Sequence, residues 1–205
     1  MIFAVVPACG QSSRMGRPKL SLPLGTCTVI EHVIAALRSG GLERVLVVVG
    51  PQVPELVPLA LAAGAEVLEL PEVTPDMRTT VERGLAYLEE HFHPQPDDWW
   101  MLAPADQPIL SAAVVRDLIA ATISPLHNII IPVHGEKRGH PTLIRWRKVA
   151  EIRAMPPDRG INSFLRAHAQ ETLELPISDP GILSDLDTPE DYARQLAHLP
   201  RPTET

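Results

Sequence analysis

The stretch Pro7-Ala8-Cys9-Gly10-Gln11-Ser12-Ser13-Arg14-Met15-Gly16-Arg17-Pro18-Lys19 sets two glycines among three basic side chains. Gly10 and Gly16 permit close backbone approach and unusual φ/ψ, and successive N–H groups there can form an anion nest. Arg14 and Lys19 would then place fixed positive charge beside a leaving pyrophosphate. The spacing is neither that of a Walker loop nor the dinucleotide G-x-G-x-x-G pattern. A plain glycine turn with solvated basic residues is the alternative reading.

Three further features carry candidate chemistry. Asp106, in Ala105-Asp106-Gln107-Pro108, directly follows an apolar run. A carboxylate at a strand's C-terminal end is well placed to hold a divalent metal over phosphates, although a loop aspartate would look the same. In Asp185-Leu186-Asp187-Thr188-Pro189-Glu190-Asp191, Thr188 as N-cap, Pro189 at N1 and Asp191 at N3 predict a strong helix start. Capping leaves Asp187 unexplained, and a second metal carboxylate opposite Asp106 is the functional reading. Finally, Arg138-Gly139-His140-Pro141 is either a turn with a structural histidine or a site for a functional one.

Charge distribution bears on these sites. The chain has 205 residues and a formal net charge of −7, which argues against a general nucleic-acid binder. Yet the first acidic residue is Glu31, after Arg14, Arg17 and Lys19. A basic, glycine-bearing loop on an acidic protein fits a small polyanion. Cys9 and Cys27 form neither a disulfide framework nor a zinc pattern, and both read as small apolar fillers. No apolar run is long enough to cross a bilayer, and the N-terminus has no basic n-region or cleavage site. A cytoplasmic protein with no membrane partner is expected.

Short apolar runs must hold the loops in place. Ile2–Val6, Arg44–Val49, Glu66–Leu70, Trp99–Ala103 and Asn128–Val133 read as buried strands. Amphipathic stretches alternate with them: Thr28–Arg38, opened by a Thr28/Glu31 capping box, then Met77–Phe92 and Ser111–Ile123. This alternation predicts an α/β fold, a doubly wound, mostly parallel sheet with helices on both faces. Ligands in such folds sit at the carboxyl ends of the strands. Beyond residue 134 the pattern loosens: a hairpin or irregular loop over His134–Leu143, helices near Arg147–Ala154 and Gly160–His168, a strand at Thr172–Ile177, and a last helix from Pro189. Residues 1–205 read as a single domain, with 134–180 as a subregion.

In this order the motifs resemble the MobA-like nucleotidyltransferases, particularly the molybdenum cofactor cytidylyltransferase branch. The family opening A-A-G-x-S-x-R-M-G-x-P-K-x-L-L-P is similar to Ala8 through Pro23. The resemblance continues through Met77-Arg78-Thr79-Thr80-Val81-Glu82-Arg83-Gly84-Leu85, Asp106-Gln107-Pro108, Gly139-His140-Pro141, Asp158-Arg159-Gly160 and Leu186 through Asp191. It implies a Rossmann-like, three-layer α/β/α enzyme of the nucleotide-diphospho-sugar transferase type, using an NTP and Mg²⁺. Nucleotide binding would then fall to Ala8, Cys9, Gly10, Ser12, Arg14, Lys19, Thr80 and Asp106. Lys19, Arg14 and Asp106 would be catalytic, with Asp106 and Asp187 as metal ligands and His140 on the acceptor side. Pro18-Lys19 and Gly139-His140-Pro141 are closer to the cytidylyl branch, which implies CTP, a molybdopterin-type acceptor and a client molybdoenzyme. Cys9 and Asp76 depart from the family pattern, which has Ala or Gly at the first and Gly at the second. Three alternatives stay open: GTP as donor; another phosphorylated acceptor, such as methylerythritol phosphate or a sugar phosphate; and a non-catalytic molybdopterin-delivery module.

Overall fold

The computed structural model describes residues 1–10 and 15–198. Its first half winds through β1 (Ile2–Ala8), a small ribbon of β2 (Pro23–Leu24) and β3 (Cys27–Thr28), α1 (Val29–Ser39), β4 (Arg44–Val49), α2 (Leu56–Ala62), β5 (Glu66–Glu69), α3 (Met77–Phe92) and β6 (Trp99–Leu102). The second half holds α4 (Ala112–Ala121), β7 (Ile129–His134), β8 (Lys137–Arg138), β9 (Thr142–Arg145), α5 (Val149–Arg153), α6 (Ile161–Ala167), β10 (Thr172–Pro176) and α7 (Pro189–His198). No helix among the described residues is long and apolar enough to cross a membrane.

The strands assemble in the order β10-β7-β9-β6-β1-β4-β5, with β8 on the end of β7. Every long pairing is parallel except those of β9, which runs against both β6 and β7. Because strand side chains alternate, β1 feeds two cores. Ala4, Val6 and Ala8 pack with α1, α2 and α4 on one face. Phe3 and Val5 pack with α3, α5 and α6 on the other. This is the expected three-layer α/β/α sandwich. A Cβ on Gly84 would stand 2.9 Å from Val48 and 3.0 Å from Val5, so glycine lets α3 settle directly on the sheet.

Several expectations need correction. Glu66–Leu70 reads as a buried strand, but β5 is the sheet edge and its residues are partly exposed. Cys27 is exposed rather than an apolar filler, because it sits in the β2–β3 ribbon outside both cores. The 50–65 stretch, given no element from sequence, holds α2. The segment from His134 to Leu143 is a tight β7–β8 hairpin, turning at Gly135 with φ 62°, followed by β9. A four-residue antiparallel strand buried on both faces has no period-2 signal to reveal it.

Candidate active site

Strand order places a crevice where winding reverses. From β1 the chain builds outward through β4 and β5, then returns to lay β6 on the other side of β1. The loops leaving β1 and β6 must diverge, so their carboxyl ends border a natural ligand site. A cleft of about 400 Å³ lies there, lined by Cys9, Gly10, Lys19, Thr80, Asp106 and Asp187, with Thr74 to Met77 at its other end.

Lys19 is the centre of the charged end. Its Nζ lies 2.6 Å from Asp106 Oδ2 and 2.9 Å from Asp187 Oδ1. Two carboxylates from positions 81 residues apart therefore converge on one cationic point. Burial pulls the Lys19 ammonium down, but Asp106 and then Asp187 outweigh it and hold it above the usual lysine value.

The placement of Asp187 is set on both sides. Leu186 N donates to Asp106 O at 2.9 Å, tying this segment to the loop after β6. Behind it, Asp191 Oδ2 accepts from the amides of Asp187 (3.1 Å) and Thr188 (2.9 Å). Asp191 N donates to Thr188 Oγ1 at 3.2 Å, completing the expected cap of α7. The Thr188 hydroxyl, followed by Arg194 and these two amides, overrides slight burial and holds Asp191 down at about 2.

Small polar groups, with the Asp76 carboxylate, form the rest of the lining. Thr80 Oγ1 donates to Asp76 O at 3.2 Å and lies 2.6 Å from Thr74 Oγ1. The Cys9 thiol donates to Val48 O at 3.5 Å. Burial pushes this thiol up, against the pull of Thr80 and Thr74. Gln52 Nε2 donates to Cys9 O and holds the end of β1 from the opposite side. Asp76 has a local purpose that its sequence reading lacked: its Oδ1 accepts from Thr79 N at 2.7 Å and caps α3.

A second hollow, of about 250 Å³, borders on Arg138, His140, Thr142, Asn162 and Arg166. His140 follows the hairpin, and its amide donates to Ile182 O at 2.9 Å. Burial pushes its imidazole below the usual histidine value, while the Asp185 and Asp106 carboxylates pull it back up. Its Nδ1 and the Thr142 hydroxyl are buried without a hydrogen-bond partner among the described residues.

The structure thus brings Cys9, Gly10, Lys19, Thr80, Asp106 and Asp187 to one cleft. Ser12 and Arg14 lie outside the described residues. The Ala8 side chain is 1% exposed and packs in the core, so only its backbone could serve a ligand. His140 is in the second hollow, not the cleft. Sequence reasoning missed Thr74, which lies in a proline-bounded turn with no motif around it. It also missed Arg78: its guanidinium donates to the carbonyls of Arg153, Met155, Pro156 and Arg159 and pins α3 to the far loop.

The donor set fits a hard divalent cation. Asp106 and Asp187 offer oxygens that already surround one positive charge, and two carboxylates plus substrate phosphates are the usual Mg²⁺ arrangement. Among the described residues no group of three or more His, Cys, Asp or Glu side chains gathers into an all-protein metal cage.

Residues 4–172 match the model of the MobA-like NTP transferase domain, and the chain belongs to that family. A curated relative, the 2-C-methyl-D-erythritol 4-phosphate cytidylyltransferase of Aliivibrio fischeri, is 34% identical over 60% of this chain and 51% of its own. The chain thus spans about half the length of such relatives. The molybdenum cofactor cytidylyltransferase of Escherichia coli is 26% identical over 93% of both chains. Among solved structures, a nucleotidyl transferase from Methanothermobacter superposes with a TM-score of 0.78 at 25% identity, covering 97% of each chain. A Mycobacterium tuberculosis protein in complex with manganese gives 0.73 at 24% identity, covering 96% of this chain and 97% of its own.

Proposed function

With membership of the MobA-like NTP transferase family as the premise, we propose that this chain is a single-domain, Mg²⁺-dependent nucleotidyltransferase. It moves CMP from CTP to a molybdopterin-type acceptor and releases pyrophosphate. The observation that carries the reading is the convergence of Asp106 and Asp187 on Lys19 at the switch point of the sheet.

The acceptor's phosphate oxygen attacks the α-phosphorus in line. A new P–O bond forms as the bond from the α-phosphorus to the bridging oxygen breaks, and pyrophosphate leaves with the bonding pair. The attacking oxygen is already anionic, so no protein nucleophile or base is needed, and catalysis is positioning and charge neutralisation. Asp106 and Asp187 hold the divalent cation, which when bound screens the charge that keeps two phosphates apart. Lys19 exchanges its carboxylate partners for pyrophosphate oxygens, and Arg14 shares that charge-neutralising role. Backbone groups of Ala8, Cys9 and Gly10, with Ser12 and the Thr80 hydroxyl, hold the rest of the nucleotide. His140 and the second hollow face the acceptor, and a client molybdoenzyme receives the product.

A second reading keeps the chemistry and changes the acceptor to methylerythritol phosphate. It is favoured by the 34% identity to cytidylyltransferases of that substrate over 125 residues. Calorimetric titration of CTP, GTP, ATP and UTP, each with and without Mg²⁺, on wild type and Asp106→Ala tests the common core. Mg²⁺-dependent binding of CTP alone, lost in the variant, is expected. Binding of no nucleotide overturns the transferase in favour of a delivery module.

A further inference from the structure

Gln107 follows Asp106 in the loop after β6, yet it is 2% exposed. Its Nε2 donates to Asp185 Oδ1 at 2.7 Å, while its Oε1 is buried without a partner among the described residues. A buried amide with an unmet acceptor costs roughly 1–3 kcal/mol, and an apolar side chain of similar size would avoid that cost. The hydrogen bond to the Asp185 carboxylate at most offsets that cost, so stability gives little net reason for a glutamine here.

Its partners give one. Residues 185, 186 and 187 run along the loop after β6, and each is tied to it differently. Asp185 takes the Gln107 amide, Leu186 N donates to Asp106 O, and Asp187 reaches Asp106 through Lys19. In the reaction proposed above, Lys19 gives up its carboxylates for phosphate oxygens, so the link it makes between the two segments is withdrawn. The Leu186 hydrogen bond in front and the Asp191 cap behind still hold the backbone of residues 186–188. The Gln107–Asp185 hydrogen bond adds an attachment on the cleft side, next to the ligand carboxylate, that resists rotation of the segment.

We infer that Gln107 is a positioning residue: by holding Asp185 it keeps Asp187 aimed at Asp106 when Lys19 is drawn to the nucleotide. The inference rests on the metal-dependent reading above. Groups that orient metal ligands without touching the metal commonly change its affinity by 10- to 100-fold. Asp185 is exposed, so its replacement leaves the packing alone.

The test is Mn²⁺ binding, followed by electron paramagnetic resonance, with the nucleotide that binds in the calorimetric series present and acceptor omitted. Gln107→Leu and Asp185→Ala should each weaken Mn²⁺ about tenfold, and the double variant no further. Asp185→Asn keeps the accepting oxygen and should bind Mn²⁺ like wild type. Thermal unfolding of Gln107→Leu should match or exceed wild type, and nucleotide affinity without metal should not change. Wild-type Mn²⁺ affinity in both single variants, additive losses in the double variant, or Asp185→Asn as weak as Asp185→Ala would overturn the inference alone. A wild-type chain that binds nucleotide but no Mn²⁺, or no nucleotide, overturns the proposed reaction and this inference with it.

Discussion

The cleft around Lys19 and the hollow around His140 lie at the same end of the sheet, but different parts of the chain build them. The cleft is bordered by the carboxyl ends of β1 and β6, both continuous parallel strands, and its charges meet in pairs within 3 Å. The hollow is bordered by a hairpin, the reversed strand β9 and the short α6, and it holds buried polar atoms with no partner among the described residues. In one region the described charges already touch, two carboxylates around one ammonium. The other holds, among the described residues, polar atoms whose hydrogen bonds are still to be made.

The sharpest way to break this contrast is Asp106→Ala. Loss of one cleft carboxylate should reduce transfer by roughly 10²–10³-fold while circular dichroism and melting stay near native; an unfolded variant would make Asp106 structural instead. A second comparison acts on the hollow. Arg166→Ala should raise the acceptor KM about tenfold, the scale of one charge-assisted hydrogen bond, and leave nucleotide affinity unchanged in calorimetry. Weakened nucleotide binding would merge the two regions into one site.

Two smaller effects sharpen the division. Thr188→Ala removes the α7 cap and should cost about 1 kcal/mol in urea unfolding, with a loss of metal affinity because Asp187 hangs from that cap. The last concerns pH. His140 has a folded pKa below its unfolded one, so the unfolded chain binds more protons between those values. The stability contributed by the neutral imidazole is present above about pH 6.5 and is lost as pH falls through the folded value. Urea midpoints should therefore fall from pH 7 toward pH 5, and His140→Asn should flatten that slope.

The contrast also explains what could be read from sequence. Ile2–Val6, Arg44–Val49 and Trp99–Ala103 are apolar runs that stop where a motif begins, so strand and site announce each other. Asp187 stood out because helix capping accounts for Thr188, Pro189 and Asp191 and leaves it over. The hollow offered no such rule. β9 has a buried face on both sides and only four residues, and its role depends on pairing with β6, 40 positions away. Asp76 reads in sequence only as a departure from the family's glycine, and its purpose emerges from the structure, where its side chain closes the first turn of α3. Asn162 and Arg166 reach the hollow through the packing of α6, which no local pattern encodes.

The reversed direction of β9 has one more consequence. Thr142 opens that strand and pairs with Leu102, which closes β6, so the beginning of one strand shares a rim with the end of its neighbour. The connection before β9, residues 135–141, therefore emerges over the hollow, while the β1 and β6 connections emerge over the cleft. Lengthening that turn would reshape what the hollow admits without shifting any strand of the parallel half. The molecule is thus divided like a tool with an interchangeable jaw: one side of the hollow can be rewritten in a single loop while the parallel half keeps its frame.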